Sequence, residues 1–289
     1  MIPYLTSPSF HLGPVTIHLF GLIVAVAVWT GVTMASPQYK KSGLDVAIGE
    51  RMNVWIGVAA VLGAHLFSVI FYFPEKVAAD PWLLLRLWED ISSFGGMLGG
   101  LIGAGLFLWW RNPKMDATTR WGYLDVVAFV FPFSHAIGRV GCSLAHDHPG
   151  TISNFPLAVS LKTPAAQQFI TDVYANAGLS STLPPLNVLA TMGFNDLGWY
   201  ELLFMCAVVL PVITIMYNRA RRPGTMVLTF GLVYLPVRFA FDFLRVSDER
   251  YLGLTPGQWV AVTAFLLLPV LYMRIRTRDV RTPAGVLVR

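Results

Sequence analysis

Seven long runs of apolar residues divide the chain, separated by shorter polar stretches. They lie at residues 16–36, 54–73, 95–110, 122–141, 199–217, 225–244 and 257–274. A helix needs about 20 mainly apolar residues to cross the hydrocarbon core of a bilayer, and each run is close to that length. The pattern therefore predicts an all-α integral membrane protein with about seven transmembrane helices. We expect Pro37 to end the first helix and Pro74 to follow the second.

One segment between the runs, residues 142–198, is too long and too polar to be a simple connector. It is rich in proline, serine, threonine and asparagine, and its stretch 165–178 has the composition of a short helix. We expect this segment to form a small extracytoplasmic head between helices four and five. The rest of residues 1–289 is then a single polytopic membrane domain.

Composition supports a bilayer location and gives an orientation. Hydrophobic residues make up 55% of the 289 residues and charged residues only 13%, which excludes an ordinary soluble protein. The net charge of +5 is not evidence for nucleic-acid binding, because most lysines and arginines lie in alternate loops and the C-terminal tail. Such loops face the cytoplasm. We therefore expect the C-terminus in the cytoplasm and the N-terminus outside it, with the first span retained because no lysine or arginine precedes Lys40.

Several charged residues fall inside the predicted spans, where each costs about 3 kcal/mol or more and is usually functional. Arg238, Asp242 and Arg245 are spaced four and three apart, which would place them on one helical face. His135 and Arg139 are also four apart near the end of the fourth span. Guanidinium groups bind phosphate oxygens well and stay charged in a dry site. These arginines therefore predict a site for an anionic lipid headgroup.

A simpler interpretation of the sixth span remains open. Arg238 and Asp242 would then neutralise each other, and Arg245 would extend its charged end to the membrane surface.

A reactive cluster follows Arg139. Cys142, His146, Asp147 and His148 provide a nucleophile, possible general bases and possible metal ligands. Cys142 and His146 would face the same side if the helix continued to His146, but no second pair of zinc ligands accompanies them. We expect no metal here.

Other candidates lie near the ends of the spans. The third span opens with Gly95 and Gly96, which would let a backbone approach a ligand, whereas Gly99 and Gly103 have the spacing of close helix packing. His65 is equally compatible with a core residue and with a site. Tyr200 and Glu201 are further polar candidates at the start of the fifth span.

Seven short segments, in order along nearly the whole chain, resemble the bacterial prolipoprotein diacylglyceryl transferase family. They are IHLFGL (17–22), GAHLFSVIFY (63–72), DPWLLLRLWEDISSFGGMLGGLIG (80–103), DVVAFVFPFSHAIGRVGC (125–142), WYELL (199–203), VRFAFDFLR (237–245) and LTPGQW (254–259).

The resemblance implies an enzyme of the bacterial cytoplasmic (inner) membrane that needs no cofactor and carries out the first step of lipoprotein modification. It would transfer the diacylglyceryl group of phosphatidylglycerol to the lipobox cysteine thiol in a preprolipoprotein signal peptide, releasing glycerol phosphate. By the same resemblance, Arg139, Arg238 and Arg245 occupy the family's arginine positions. Gly141 and Gly150 match its signature.

The chain departs from the family pattern at several positions. Residues that differ are Phe20, His65, Phe94, Cys142, Asp147 and Asp242, where the family has tyrosine, arginine, histidine, asparagine, glutamate and glutamate. If the transfer needs a general base, the candidates here are His135, His146 and His148, the last two flanking Asp147. Two alternatives stay open: the same fold with a different acceptor, or a non-catalytic phospholipid-binding paralogue.

Overall fold

The protein is described by a computed structural model covering residues 1–6, 8–12, 15–87, 91–246, 248, 250–274, 280–281 and 287–288. The described chain forms two compact units. The first comprises residues 1–30, 132–212 and 233–248, and the second comprises residues 31–131, 213–232 and 249–289. Several arginines of the basic C-terminal tail lie outside the described residues.

Seven helical spans in the described residues are long and apolar enough to cross a membrane, which confirms the predicted all-α membrane class. The helices are α1 (Leu19–Lys41), α2 (Val46–Phe71), α3 (Pro74–Ala79), α4 (Ser93–Gly105), α5 (Ala117–Ala145), α6 (Pro164–Asn176), α7 (Leu186–Leu189), α8 (Leu197–Phe204), α9 (Leu210–Tyr217), α10 (Thr225–Phe241) and α11 (Pro256–Arg274). Helix α4 continues as a π-helix over Leu106–Arg111, α8 joins α9 through a π-helix over Met205–Val209, and α10 ends in a 3-10 turn, Asp242–Leu244.

Three small antiparallel sheets complete the described part of the chain. Strands β1 (Ser9–Leu12) and β2 (Val15–His18) form a hairpin, and β6 (Val280–Arg281) pairs with β7 (Leu287–Val288). A three-stranded sheet has β5 (Gly193–Asp196) between β3 (Pro149–Ser153) and β4 (Val159–Ser160).

The prediction that Pro37 ends the first helix is wrong. Pro37 lies inside α1, because membrane helices tolerate proline where neighbouring groups satisfy the freed backbone. The helix ends instead at Lys41, and Gly43 after it has a φ of 66°, the left-handed conformation that closes many helices. The amide of Leu44 then bonds the Tyr39 carbonyl at 2.9 Å.

The segment predicted to form a head folds around its own apolar cluster in the first unit. Phe194 of β5 packs with Val159, Ile170 and Leu189 in this cluster, and α6 begins at Thr163, whose hydroxyl accepts from the Ala166 amide. The N-terminus joins this fold, since the Ile2 amide donates to the Ala158 carbonyl at 2.9 Å. The side of the membrane on which the head lies stays a prediction.

In the second unit, a buried carboxylate caps a membrane helix. Asp125 of α5 is 2% exposed, and its oxygens accept from the amides of Gly224, Met226 and Val227 at the start of α10. These amides have no partner inside the helix, and a negative charge there is favoured by the helix dipole. The cap explains why an acidic residue is tolerated within a span.

Close packing of α2 against α4 depends on glycine. A Cβ atom at Gly63 would lie 2.6 Å from the Gly95 carbonyl oxygen, and one at Gly103 would lie 2.6 Å from the Ala59 Cβ. Gly99 would clash with the Ala59 carbonyl oxygen. The expected packing role of Gly99 and Gly103 therefore has a direct geometric basis.

Replacing Gly99 with alanine is expected to lower stability by about 1–3 kcal/mol, because the new methyl group forces two backbones apart. Gly105→Ala is the matched control, since its added Cβ meets nothing within 4 Å. Thermal unfolding of both variants in one detergent measures the difference. Equal melting temperatures would contradict this account of the α2–α4 contact.

Candidate active site

Glu201 lies at the centre of a buried polar network in the first unit. It is 1% exposed, and its Oε2 accepts from Arg139 Nη2 at 2.9 Å. Its Oε1 lies 3.0 Å from His135 Nε2 and accepts from the Tyr234 hydroxyl. The residues come from α5, α8 and α10. As the sequence predicts, His135 and Arg139 lie on the same side of α5. Both side chains contact Glu201.

Arg139 is only partly satisfied by this network. Its Nη1 donates to Cys142 Sγ at 3.2 Å and to His148 Nε2 at 3.3 Å, and its Nε has no hydrogen-bond partner among the described residues. The residue is 2% exposed. A buried guanidinium whose Nε and Nη1 are not held by carboxylates has donors available for an anion.

Asp147 and His148 form a tight pair beside Arg139. Asp147 Oδ1 lies 2.5 Å from His148 Nδ1. Burial lowers the pKa of His148, and Arg245 and Arg139 lower it further, which together outweigh the opposing effect of Asp147. Burial would raise the pKa of Asp147, but His148 and Arg139 hold it below its ordinary value. Near neutral pH the pair is therefore a carboxylate beside a neutral imidazole.

The structure separates His146 from the other members of the predicted reactive cluster. Helix α5 ends at Ala145, and His146 adopts a φ of 51°, so the helical face joining Cys142 to His146 does not form. His146 Nδ1 lies 2.5 Å from Asp196 Oδ2 and Nε2 lies 3.0 Å from the Leu5 carbonyl. Tyr4 stacks on its ring at 4.6 Å. These contacts make His146 part of the head's core.

The prediction that Arg238, Asp242 and Arg245 share one helical face is wrong for Arg245. Helix α10 ends at Phe241, and Arg245 has extended backbone that pairs with Gly150. Its side chain bonds Asp248 at 3.0 Å. Arg238 pairs with Asp242, so the simpler interpretation of that pair is the one the structure bears out.

Arg139 and Arg238 nevertheless converge. Arg238 is 3% exposed, and both guanidinium groups interact electrostatically with Glu201 and with each other. The Nε atoms of Arg238 and Arg245 have no hydrogen-bond partner in the described part of the chain. Charge from two helices is therefore concentrated around one carboxylate, and the binding of a lipid headgroup there stays a prediction.

Three other predicted residues lie in the second unit. His65 is fully buried and its Nε2 lies 2.8 Å from the Leu83 carbonyl, as in a satisfied core histidine. A Cβ at Gly95 would lie 2.5 Å from the Gly63 carbonyl oxygen, so helix packing accounts for this glycine. A Cβ at Gly96 would make only ordinary van der Waals contacts, with the Ala60 carbonyl oxygen and the Ala64 Cβ. A ligand role for these three residues stays a prediction.

The remaining predicted residues lie in the first unit and have packing roles. A Cβ at Gly150 would lie 2.7 Å from the Asn195 carbonyl oxygen, and one at Gly141 would lie 3.1 Å from the Phe20 ring. The Tyr200 hydroxyl donates to Asn195 Oδ1 at 2.9 Å. The close approach at Gly150 accompanies the pairing of β3 with β5, and the Tyr200 bond joins α8 to the same strand.

Cys142, Asp147 and His148 each offer a metal-ligand atom, and these atoms lie within 4.8 Å of one another. The group does not fit a metal well. The fixed positive charge of Arg139 contacts two of the three ligands and would repel a divalent cation.

The sequence did not predict Tyr234, which belongs to the site, or Asn195 and Asp196, which contact the predicted residues Tyr200 and His146. Tyr234 carried a usable signal, because it precedes Arg238 by four residues and so shares its helical face. Asn195 and Asp196 lie in a short strand whose position is fixed only by the folded head.

Comparison with known proteins identifies the family. The family model for prolipoprotein diacylglyceryl transferase matches residues 8–274. The phosphatidylglycerol–prolipoprotein diacylglyceryl transferase of Chromohalobacter salexigens is 28% identical over 275 residues, covering 93% of this chain and 89% of the relative. Proteins of the same name from Pseudomonas aeruginosa and Ectopseudomonas mendocina are 26% and 27% identical, covering 93% and 94% of this chain and 90% and 92% of theirs. The chain therefore belongs to the prolipoprotein diacylglyceryl transferase family.

Proposed function

We propose that this protein transfers the diacylglyceryl group of phosphatidylglycerol to the lipobox cysteine thiol of a prolipoprotein signal peptide, releasing glycerol phosphate. The names of its relatives specify the same donor and protein acceptor. The observation that carries the proposal is Arg139, a buried guanidinium with one carboxylate partner and further donors available.

The reaction explains why such an arginine is needed. The acceptor sulfur forms a bond to the glycerol carbon that carries the phosphate oxygen, and the carbon–oxygen bond breaks with its electron pair on that oxygen. A phosphodiester thereby becomes a phosphate monoester, whose additional negative charge develops in the transition state. Arg139 can donate to a phosphate oxygen through Nη1, which faces Cys142 and His148, and donors already in place stabilise developing charge most effectively.

The surrounding network positions Arg139 for this task. Glu201 holds Nη2 and is itself held by His135 and Tyr234, so the other donors of Arg139 have a fixed direction. Arg238, which pairs with Asp242, adds positive charge near Glu201. We assign Arg139 to phosphate binding, and Glu201, His135, Tyr234, Arg238 and Asp242 to positioning it.

The protein is a multi-pass membrane protein, and its orientation forms part of the proposal. The distribution of lysine and arginine supports a cytoplasmic C-terminus and an N-terminus outside the cytoplasm. The head and the signal peptide would then meet on the outer face of the bacterial cytoplasmic membrane.

Incubation of the purified protein with phosphatidylglycerol and a synthetic lipobox peptide tests the function. We expect the peptide mass to increase by one diacylglyceryl group, with one glycerol phosphate released per peptide modified. The matched peptide with serine in place of cysteine should remain unmodified. Release of glycerol phosphate without peptide modification would favour a different acceptor, and retention of phosphatidylglycerol without any product would favour a binding protein.

A further inference from the structure

Among the described side chains of the first unit, three histidines are largely buried, and their partners determine which of them can accept a proton. His146 bonds two acceptors, the Asp196 carboxylate and the Leu5 carbonyl. Both of these partners only accept hydrogen bonds, so neither nitrogen faces a group that could give it a proton. His135 Nε2 faces the Glu201 carboxylate and is likewise a donor there.

His148 has the opposite arrangement. Its Nδ1 faces the Asp147 carboxylate, which only accepts, and its Nε2 faces Arg139 Nη1, which only donates. The partners therefore fix a neutral imidazole with the proton on Nδ1 and a lone pair on Nε2. This lone pair points into the group formed by Arg139 and Cys142, where the donor phosphate is proposed to bind.

The charged groups around His148 favour this neutral state. Arg139 of α5 and Arg245 after α10 both oppose its protonation, and Asp147 favours it. Cys142 is a further titratable group beside His148. The Asp147 side chain is 34% exposed and that of His148 is 11% exposed, so the pair is open to an entering ligand.

We infer that His148, oriented by Asp147, is the general base that takes the proton of the acceptor thiol, an assignment that rests on the proposed function. The thiol proton moves to Nε2 as sulfur bonds the glycerol carbon and the carbon–oxygen bond electrons pass to the phosphate oxygen. When Arg139 donates its Nη1 hydrogen to that phosphate, it no longer donates to His148 Nε2. The lone pair on His148 Nε2 is then free to accept the thiol proton. The imidazolium, stabilised by Asp147, then returns its proton to glycerol phosphate or to water.

His148→Gln tests the assignment with two acceptor peptides, one containing cysteine and one selenocysteine. An ordinary thiol has a pKa of about 8.5, so at pH 7 it needs a base, whereas a selenol is already ionised. We expect the variant to transfer to the cysteine peptide about 10²-fold or more slowly at pH 7. The deficit should shrink towards pH 8.5, and it should be much smaller with the selenocysteine peptide at every pH.

The wild-type rate of transfer should depend on pH in a direction that follows from the protonation of His148. Protonated His148 cannot act as a base, and burial places its pKa below the ordinary value of 6.5, so the wild-type rate should fall only below about pH 6.5. Asp147→Asn should show the same deficit with rescue by selenocysteine, because a side-chain amide can reverse the tautomer. His18→Gln, at an exposed histidine, should match the wild type.

Three further outcomes separate the possible failures. Equal deficits of His148→Gln with both peptides at all pH values would show a structural role and overturn the base assignment. Transfer by the variant at the wild-type rate would also overturn it while leaving the proposed function intact. Absence of transfer by the wild-type protein to either peptide would instead contradict the function on which the inference rests.

Discussion

Replacing Arg139 with glutamine is expected to slow diacylglyceryl transfer by about 10²–10⁴-fold. The change removes a charge-assisted donor from a buried site where phosphate charge develops, a loss of about 3–6 kcal/mol at 1.4 kcal/mol per tenfold change in rate. Arg139→Lys should recover only part of the rate, because a compact ammonium group cannot reproduce the donors that a planar guanidinium holds in several fixed directions. Initial rates of peptide modification measure both effects.

Loss of Arg139 also leaves Glu201 without its cation, so a control must separate function from stability. In Arg139→Gln/Glu201→Gln the buried carboxylate is removed together with its partner. We expect the double variant to regain much of the thermal stability lost by the single variant while transfer remains slow. Recovery of transfer in the double variant would show that Arg139 is needed only to neutralise Glu201.

Glu201→Gln alone is expected to destabilise the protein by about 3–5 kcal/mol, because it leaves Arg139 buried without its carboxylate. The amide also cannot accept from Arg139, His135 and Tyr234 together, since its nitrogen is a donor. The rate of transfer should fall as Arg139 loses its fixed direction. Thermal unfolding and initial rates should be measured in the same detergent.

Tyr234→Phe is the graded comparison for Glu201→Gln. It removes a single donor from Glu201 and should cost about 1–3 kcal/mol, since Glu201 keeps its two other partners. A Glu201→Gln variant as stable and active as Tyr234→Phe would contradict the central position of this carboxylate.

The membrane helices could be predicted from sequence because span length is set by the bilayer and apolar runs are local features. The grouping of His135 with Arg139 could be predicted for the same reason, since both lie well inside α5 and helical periodicity holds there. The partners of His135 and Arg139 could not be predicted, because Glu201 and Tyr234 lie on other helices.

Predictions at helix ends were less successful. Arg245 was expected on the face of α10, but the helix has ended and its backbone pairs with Gly150, a contact about 95 residues distant in sequence. His146 and His148 were expected in one cluster, yet the left-handed conformation of His146 turns them to different partners. Local spacing carries no information about either change of direction.

The residues that depart from the family pattern have distinct environments. Phe94 is 6% exposed and packs against Phe67 in the second unit, at 5.9 Å between ring centres. Cys142 accepts from Arg139 in the first unit. Asp147 retains a carboxylate and pairs with His148. Sequence comparison identified the changed positions, but only the folded loop after α5 assigns His148 a protonation state.

The contact between Arg139 and the donor phosphate is the central claim, and solid-state NMR can measure it directly. Guanidinium-¹⁵N-arginine protein in phosphatidylglycerol bilayers would be examined for ³¹P–¹⁵N dipolar coupling, with the Arg139 signal assigned by its absence from the Arg139→Gln spectrum. Our account predicts coupling at a hydrogen-bonded separation, roughly 4 Å from nitrogen to phosphorus. An Arg139 signal with no coupling, in a sample that still transfers diacylglyceryl groups, would contradict it.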